Sequence, residues 1–395
     1  MIIGTDKERK TDAQGNLVEW RVGITPGAVE RLVQLGHTCL VESGAGQAAG
    51  YGDEAYRGAG AEIVTTQEEV YARAQLIYKV KEPQKPEWGL FRKGQILFTY
   101  VHASNRFEML SSLVERETVA IAYEDVQTAD GRLPMLEPMS IIAGHMAQLR
   151  AYQYLLVDAG NVGILSGSMV GIPPAKVAVL GTGFAGESAI RMARACGSQV
   201  VALYRENFAR AERIMQNYPG TICLKSTPEN VRFALQGAHV LNNCMTWPIT
   251  RRNEVLITAD MLTLMDEHGI VMDVSAELQG GLETTRNLHT SHAAPVVTIA
   301  GKPHYVVPNI PAIAARSASS ALVNATLPWA ELIAGGWDWR HAQADSPLYR
   351  GLTCAGGRVV NPVVKEWYDA EHTARVSPVP VVALDQGTRP VAEGI

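Results

Sequence analysis

Arg21, Lys81 and His102 are side chains of complementary chemistry, and each stands at the end of a short apolar run. A guanidinium is the best two-pronged holder of a carboxylate, and an ammonium polarises a carbonyl oxygen. An imidazole titrates where a proton is passed to or from an imine or carbonyl product. Each type also has a more frequent fate: an arginine or lysine in a solvated surface pair, a histidine packed as a structural residue. Their common placement favours chemistry, because in a parallel sheet the ligand crevice lies beyond the carboxyl ends of the strands. Lys79 lies two residues before Lys81 and shares its side of an extended chain, so either both lysines reach the crevice or the pair caps a sheet edge.

A second group is a phosphate cradle. The run Ala175–Leu180 leads into Gly181-Thr-Gly183-Phe184-Ala185-Gly186, and a helical pattern follows at once. Gly181 permits the tight turn, Gly183 clears the backbone for a pyrophosphate, and Gly186 lets the helix pack closely on the strand. Phe184 and Ala185 open the helix, whose first N–H groups are unpaired and lie at its positive end. With a second strand at Gln199–Tyr204 this completes a dinucleotide-binding unit. An acid normally ends that second strand and accepts from the ribose 2′-hydroxyl; here Leu203 is followed by Tyr204, Arg205 and Glu206. An arginine pairs with a 2′-phosphate, so NADP(H) is favoured over NAD(H), which Glu206 keeps open. Farther on, Asp273-Val-Ser-Ala-Glu277 places a carboxylate beyond a strand. Glu277 orients the histidine, acts as a base through water, or is a helix cap or surface acid. Asn309, at a return crossing, offers an amide to the nicotinamide carboxamide.

The elements that must position these groups alternate. Residues 2–5 are a short apolar opening and Arg21-Val-Gly-Ile looks like a strand end; strands are expected at 38–41, 75–81 and 95–101, with helices from Thr25 as N-cap and over 65–74. The helical stretch 140–157 crosses to a second unit, with strands at 176–180, 199–204, near 221, at 239–243 and 269–275. Helices at 184–196, 207–217, 227–237 and 258–266 separate them. A helix over 314–333 returns to the first unit, and the last thirty or so residues, which carry Pro378, Pro380 and Pro390, read as a surface extension. The expected fold class is α/β: two Rossmann-like doubly wound parallel-sheet domains separated by a cleft. Residues 1–137 form the substrate domain, 138–312 the NAD(P)-binding domain, and 313–395 the return to the substrate domain with a C-terminal extension.

Composition narrows the classes. At 395 residues the chain exceeds one ordinary core, and 47% hydrophobic with 19% charged residues describes a packed enzyme. A net charge of −5 without a basic stripe argues against nucleic acid. No apolar run is long enough for a membrane span or signal peptide, so the cytoplasm is the expected location. Cys39, Cys196, Cys223, Cys244 and Cys354 lack ligand spacing and read as reduced, mostly buried thiols; no metal is expected.

Taken together, the residues resemble the alanine dehydrogenase family. Its relatives are the α subunit of proton-translocating transhydrogenase, the N5-(carboxyethyl)ornithine synthases and the lysine-forming saccharopine dehydrogenases. The resemblance spans residues 1–365 and rests on Arg-Val-x-x-Thr-Pro at 21–26, Lys-Val-Lys-Glu-Pro at 79–83 and Gly-Gln-Ile-Leu-Phe-Thr-Tyr-Val-His at 94–102. It rests further on Pro-Met-Ser at 138–140, Val-Gly-Ile-Pro-Pro-Ala-Lys at 170–176 and Asn-Ala-Thr-Leu-Pro at 324–328. It implies that Arg21 and Lys81 hold the substrate's carboxylate and carbonyl beside Tyr100 and Met139. It makes His102 the general acid/base with Glu277 in support, and puts Ser140 and Asn309 against the cofactor.

Departures are equally specific. Alanine dehydrogenases carry aspartate where Glu277 and Tyr204 stand, Ser-Glu where this chain has Ser140-Ile141, and arginine where it has His145. Tyr204-Arg205, Ser140–Gly144 and Asp273–Glu277 look more like the carboxyethylornithine and saccharopine branches. The expected partners are therefore a small 2-oxo acid and an amine: ammonia in an amino-acid dehydrogenase, a second amino acid in an opine-type synthase. A homo-oligomer, dimer or hexamer, is expected. A nucleotide-binding module without catalysis is the remaining reading, and Arg21, Lys81 and His102 argue against it.

Overall fold

The computed structural model describes residues 1–247, 251, 253–276 and 280–376. Two sheets organise them. The first is built from β1 (Ile2–Thr5), β2 (Thr38–Glu42), β3 (Glu62–Val64), β4 (Leu76–Tyr78), β5 (Ile96–Thr99) and β6 (Val119–Ala122), all parallel. The second holds β7 (Lys176–Leu180), β8 (Gln199–Tyr204), β9 (Thr221–Lys225), β10 (Val240–Asn243), β11 (Ile270–Asp273), β12 (Val296–Ile299) and β13 (Lys302–Tyr305). Only β12 runs antiparallel there. The chain then returns to the first sheet with β14 (Leu352–Ala355) and β15 (Arg358–Val359), an antiparallel edge. The expected parallel sheets are thus each finished by an antiparallel edge, where a hairpin needs no crossover helix.

Period-two alternation builds the cores. Val177 and Val179 face one apolar layer of the second sheet while Ala178 and Leu180 face the other. In the first sheet Leu76 and Tyr78 enter one layer and Ile77 the opposite one. Strands buried on both faces read as nearly continuous apolar runs for this reason. The strand orders are β15-β14-β6-β5-β4-β1-β2-β3 and β12-β13-β11-β10-β7-β8-β9. Each order reverses once, between β4 and β1 and between β10 and β7, and a crevice opens at such a reversal.

Several elements differ from expectation. No strand precedes Arg21: the backbone N–H of Val22 donates to Ser319 Oγ, a side chain of the helix Ala315–Ala334. Gly23 lies so close to the end of β4 that a Cβ there would meet the Tyr78 carbonyl at 2.5 Å. This edge-on packing sets Arg21 beside the lysines. Thr25 occupies the N-cap position of the helix Pro26–Gln34 without a side-chain capping bond. The helix expected over 258–266 is a single 3₁₀ segment, Asp260–Leu264. Pro362–Val376 is helical where the extension was expected to begin, because the Asn361 side chain accepts from the N–H groups of Val363 and Val364 and Trp367 and Tyr368 pack onto the first sheet. Pro378, Pro380 and Pro390 lie outside the described residues. Cys39 and Cys354 are buried, and the other three cysteines are half-buried free thiols. Among the described residues no helix is long and apolar enough to cross a membrane.

Candidate active site

At the reversal of the second sheet, Gly181 adopts φ +90°, and a Cβ there would meet the Cys244 carbonyl at 2.9 Å. A Cβ on Gly186 would lie 1.8 Å from the Gly181 carbonyl, and one on Gly144 would lie 1.9 Å from that of Ala185. Turn, helix Phe184–Ala195 and helix Glu137–Tyr154 therefore pack backbone to backbone. Gly183 is different: its Cβ position is open space, and no side chain caps the helix it begins. The unpaired N–H groups and the missing side chain fit a pyrophosphate. In front of them lies a cavity of about 1020 Å³ lined by Ser140, Gly183, Phe184, Ala185, Arg210 and Cys244, among others. The Arg210 guanidinium sits over the Phe184 ring, 4.5 Å from its centroid. An adjoining cavity of about 440 Å³ reaches Gly181, Arg205, Ser226 and Arg251. Tyr204 ends β8 with its ring edge-on to Phe208, and Arg205 is 59% exposed, 3.7 Å from Glu206.

The crevice of the first sheet is built from charges. Arg21 is buried, and its Nε and Nη2 donate to the two oxygens of Glu19 at 2.7 and 2.6 Å. Nη2 also donates to Asn309 Oδ1 at 3.0 Å, and Nη1 to Met139 Sδ at 3.0 Å. The two-pronged fork expected to meet a substrate carboxylate is thus spent on Glu19, and only the Nη1 end remains for a ligand. Asn309, expected against the cofactor, donates to the Val18 carbonyl and to Glu19. Burial alone would raise the Glu19 carboxyl, but the Arg21 charge and hydrogen bonds outweigh it and hold it at about 2.

The two lysines part company. Lys79 is buried in ion pairs with Asp6 at 3.1 Å and Glu87 at 2.8 Å, away from the crevice. Lys81 lines a cavity of about 770 Å³ together with Lys10, His289, His292 and Asn309. No carboxylate lies within ion-pair distance of it among the described residues. Burial and the positive charges of Lys10 and Arg21 pull its ammonium down to about 8, against the opposing pull of Glu82 and Glu19. Its backbone N–H and that of Val80 donate to the buried Glu8 carboxylate at 3.3 and 2.7 Å.

His102 takes the left-handed conformation, φ +48°, just beyond β5. Glu124 imposes it: the carboxylate accepts from the N–H groups of Val101 and His102, and Oε1 stands 3.7 Å from the ring Nδ1. The ring stacks on Tyr100, centroids 5.7 Å apart and planes 5° apart. Tyr100 itself is buried with its hydroxyl donating to the Met135 carbonyl, so its ring face rather than its hydroxyl reaches the site. The imidazole side chain is 44% exposed, with its ring lining a cavity shared with Glu124 and Asp125. Partial exclusion of water, then the Lys81 charge, hold it near 4, below the ordinary histidine range.

Arg21, Met139, Asn309 and Lys81 therefore come together, with His102 within reach of the Lys81 charge. Ser140 and the glycine turn line the neighbouring cavity, Arg205 lines the adjoining one, and Tyr204 lines neither. Glu277 lies outside the described residues. Sequence reasoning missed Glu19, Glu124, Glu8 and Glu82, the last paired with Lys10 and Arg106 at 2.7 Å each. Glu19 carried a readable signal, an acid two residues before Arg21; Glu124 carried none, since 22 residues separate it from His102.

With this geometry in view, comparisons with known proteins are specific. Residues 7–143 match the alanine dehydrogenase/PNT N-terminal domain, and residues 147–362 match the alanine dehydrogenase/PNT C-terminal domain. An alanine dehydrogenase of Methanococcus maripaludis is 37% identical, over 94% of this chain and 98% of its own. One of Staphylococcus haemolyticus is 36% identical over 95% and 98%. A solved L-alanine dehydrogenase structure superimposes with a TM-score of 0.86 at 34% identity, covering 94% of this chain and 99% of the other. A Sinorhizobium meliloti transhydrogenase shares the fold, with a TM-score of 0.76 at 22% identity over 92% and 100%. Two α/β sheets, a glycine turn at one reversal and Arg21, Lys81 and His102 at the other thus fall into one lineage, and the chain belongs to the alanine dehydrogenase/PNT family.

Proposed function

We propose that this chain is an NAD(P)-dependent amino-acid dehydrogenase that interconverts L-alanine with pyruvate and ammonia. The observation that carries the reading is the meeting of Arg21, Lys81 and Asn309 at one crevice next to the glycine cradle. The Nη1 end of Arg21 and the Lys81 ammonium face a 2-oxo acid's carboxylate and carbonyl. His102, neutral near pH 7, takes a proton in the oxidative direction and returns it in the reductive one. Glu277 supports it. Tyr100 and Met139 bound the acid's small side chain. When bound, the nicotinamide supplies or accepts the hydride.

The turn Gly181–Gly186 and the first N–H groups of its helix would hold the pyrophosphate, Ser140 the nicotinamide end, and Tyr204 and Arg205 the adenosine end. NADP(H) is favoured over NAD(H): Arg205 and Arg251 line the cavity beyond β8, and the one acid lining it with them among the described residues, Glu206, is 80% exposed. The chain is also a homo-oligomer in this reading. Its support is the outward-facing apolar stretch that includes Val157, Leu165, Met169 and a fully exposed Val170.

The deciding assay follows NADPH and NADH oxidation with pyruvate, adding ammonia in one series and single amino acids in the other. Oxidation with ammonia alone is expected. A requirement for a second amino acid overturns the reading in favour of an opine-type synthase.

A further inference from the structure

His102 opens on a second space. Besides feeling the Lys81 charge, it lines a cavity of about 340 Å³ with Ser104, Glu124, Asp125 and Asn361. Glu124 Oε1 is 3.7 Å from the imidazole Nδ1, one bridging water or a small ring rotation from a hydrogen bond. Asp125 follows it in the chain, and its Oδ2 accepts from Asn361 Nδ2 at 3.2 Å. Asn361 in turn accepts from Val363 and Val364, which fixes the Asp125 carboxylate at the start of the last described helix. Three proton-bearing groups, the imidazole, Glu124 and Asp125, therefore line one cavity that shares no lining residue with the cavities at the nucleotide cradle.

We propose that the proton handled at His102 exchanges with solvent through Glu124, Asp125 and this cavity. The proposal rests on the dehydrogenase reading, which gives it a task. Alanine as its ammonium, oxidised nicotinamide and water yield pyruvate, ammonium ion, reduced nicotinamide and one proton. The substrate ammonium first gives one proton to His102, so that loss of the hydride, the Cα hydrogen with the two electrons, leaves an iminium. Water then adds its oxygen to the iminium carbon, and both of its protons depart on the ammonium ion as the C–N bond breaks. With substrate and cofactor bound, the proton on His102 needs an exit they do not block. It passes from Nδ1 to Glu124, from there to Asp125, and out to water; reduction runs the same path inward.

The surroundings suit the direction. Burial lifts the Glu124 carboxyl to about 7 and the Asp125 carboxyl to about 6, so both hold and release a proton near neutrality. The groups whose charge reaches His102 are Lys81, Glu82, Lys10 and Arg106. The three cations favour release of its proton toward the carboxylates.

The test uses Asp125→Asn and Glu124→Gln in the full chain, assayed in the oxidative direction in dilute buffer. The assay uses whichever amino acid the unaltered chain oxidises, so failure of the alanine reading and failure of the relay are read separately. Asp125→Asn is expected to lower kcat on the order of 10-fold with KM unchanged. It should also raise the solvent deuterium isotope effect on kcat, and recover activity as imidazole buffer is added. Asp125→Glu should retain most activity without imidazole. Should Asp125→Asn fail to fold, Glu124→Gln carries the same readouts. An unchanged kcat in dilute buffer, or a loss that imidazole does not restore, overturns the proposal.

Discussion

The two crevices of this molecule are made of different material. At the reversal of the second sheet the working surface is backbone: Gly181, Gly183 and Gly186 remove side chains, and the helix at Phe184 begins without a cap. At the reversal of the first sheet it is buried ionisable side chains: Glu19 against Arg21, Lys81 with its ammonium drawn down by burial, Glu124 behind His102. A backbone cradle serves any pyrophosphate and selects no reaction. A set of desolvated charges tunes protonation and so selects the chemistry beside it.

Mutations that separate binding from chemistry are the sharpest way to break this contrast. His102→Ala should cost about 100- to 10,000-fold in kcat while leaving cofactor affinity, measured by fluorescence titration, nearly unchanged. A comparable loss of cofactor binding would show that the two crevices are not distinct in role.

Glu19→Gln should destabilise the fold by about 3–5 kcal/mol in denaturant titration, because it leaves Arg21 buried without its counter-charge. The pH dependence follows from the sign of the shift. The folded carboxyl is held at about 2, below its ordinary 4.5, so its contribution is complete above about 4.5 and is lost as pH falls through 2. The variant should lose that part of its acid sensitivity. Acid unfolding curves of identical shape would remove Glu19 from the account.

Gly186→Ala should act on the other crevice. A methyl group 1.8 Å from the Gly181 carbonyl forces helix and strand apart, with a stability cost of about 1–3 kcal/mol and weaker cofactor binding. Substrate preference among amino acids should stay the same. The smallest effect is expected at exposed Arg205. Arg205→Ser should lower the preference for NADPH over NADH by about 10-fold, or roughly 1.4 kcal/mol, read as the ratio of kcat/KM values.

Legibility in the sequence followed the range of the interaction. Strands β7 and β8 were readable because Val177–Leu180 and Val200–Leu203 are continuous apolar runs next to a glycine turn. The edge pairs β12–β13 and β14–β15 were not, since strands of only two to four residues carry little pattern, whether half-exposed like β12 or buried like β14. Arg21–Ile24 misled for a related reason: it reads like a strand end, but Ser319 and the end of β4 take the place of strand partners at Val22 and Gly23. Likewise Lys79 and Lys81 cannot be told apart by spacing; one is neutralised by Asp6 and Glu87 and the other lines a cavity.

What the amino-acid sequence determined by itself is what neighbours in the chain decide. A tight turn needs glycine at φ +90°, a close helix needs Gly186, and an uncapped helix start follows both, so the cradle is written within Ala175–Gly186. Only the tertiary structure decided the charges. Arg21 finds Asn309 across 288 residues, and His102 finds Glu124 and a cavity completed by Asn361. Coulomb attraction acts through space and strengthens as water is excluded. The protonation of the crevice therefore depends on which groups folding buries together, and that is set by packing rather than by order along the chain.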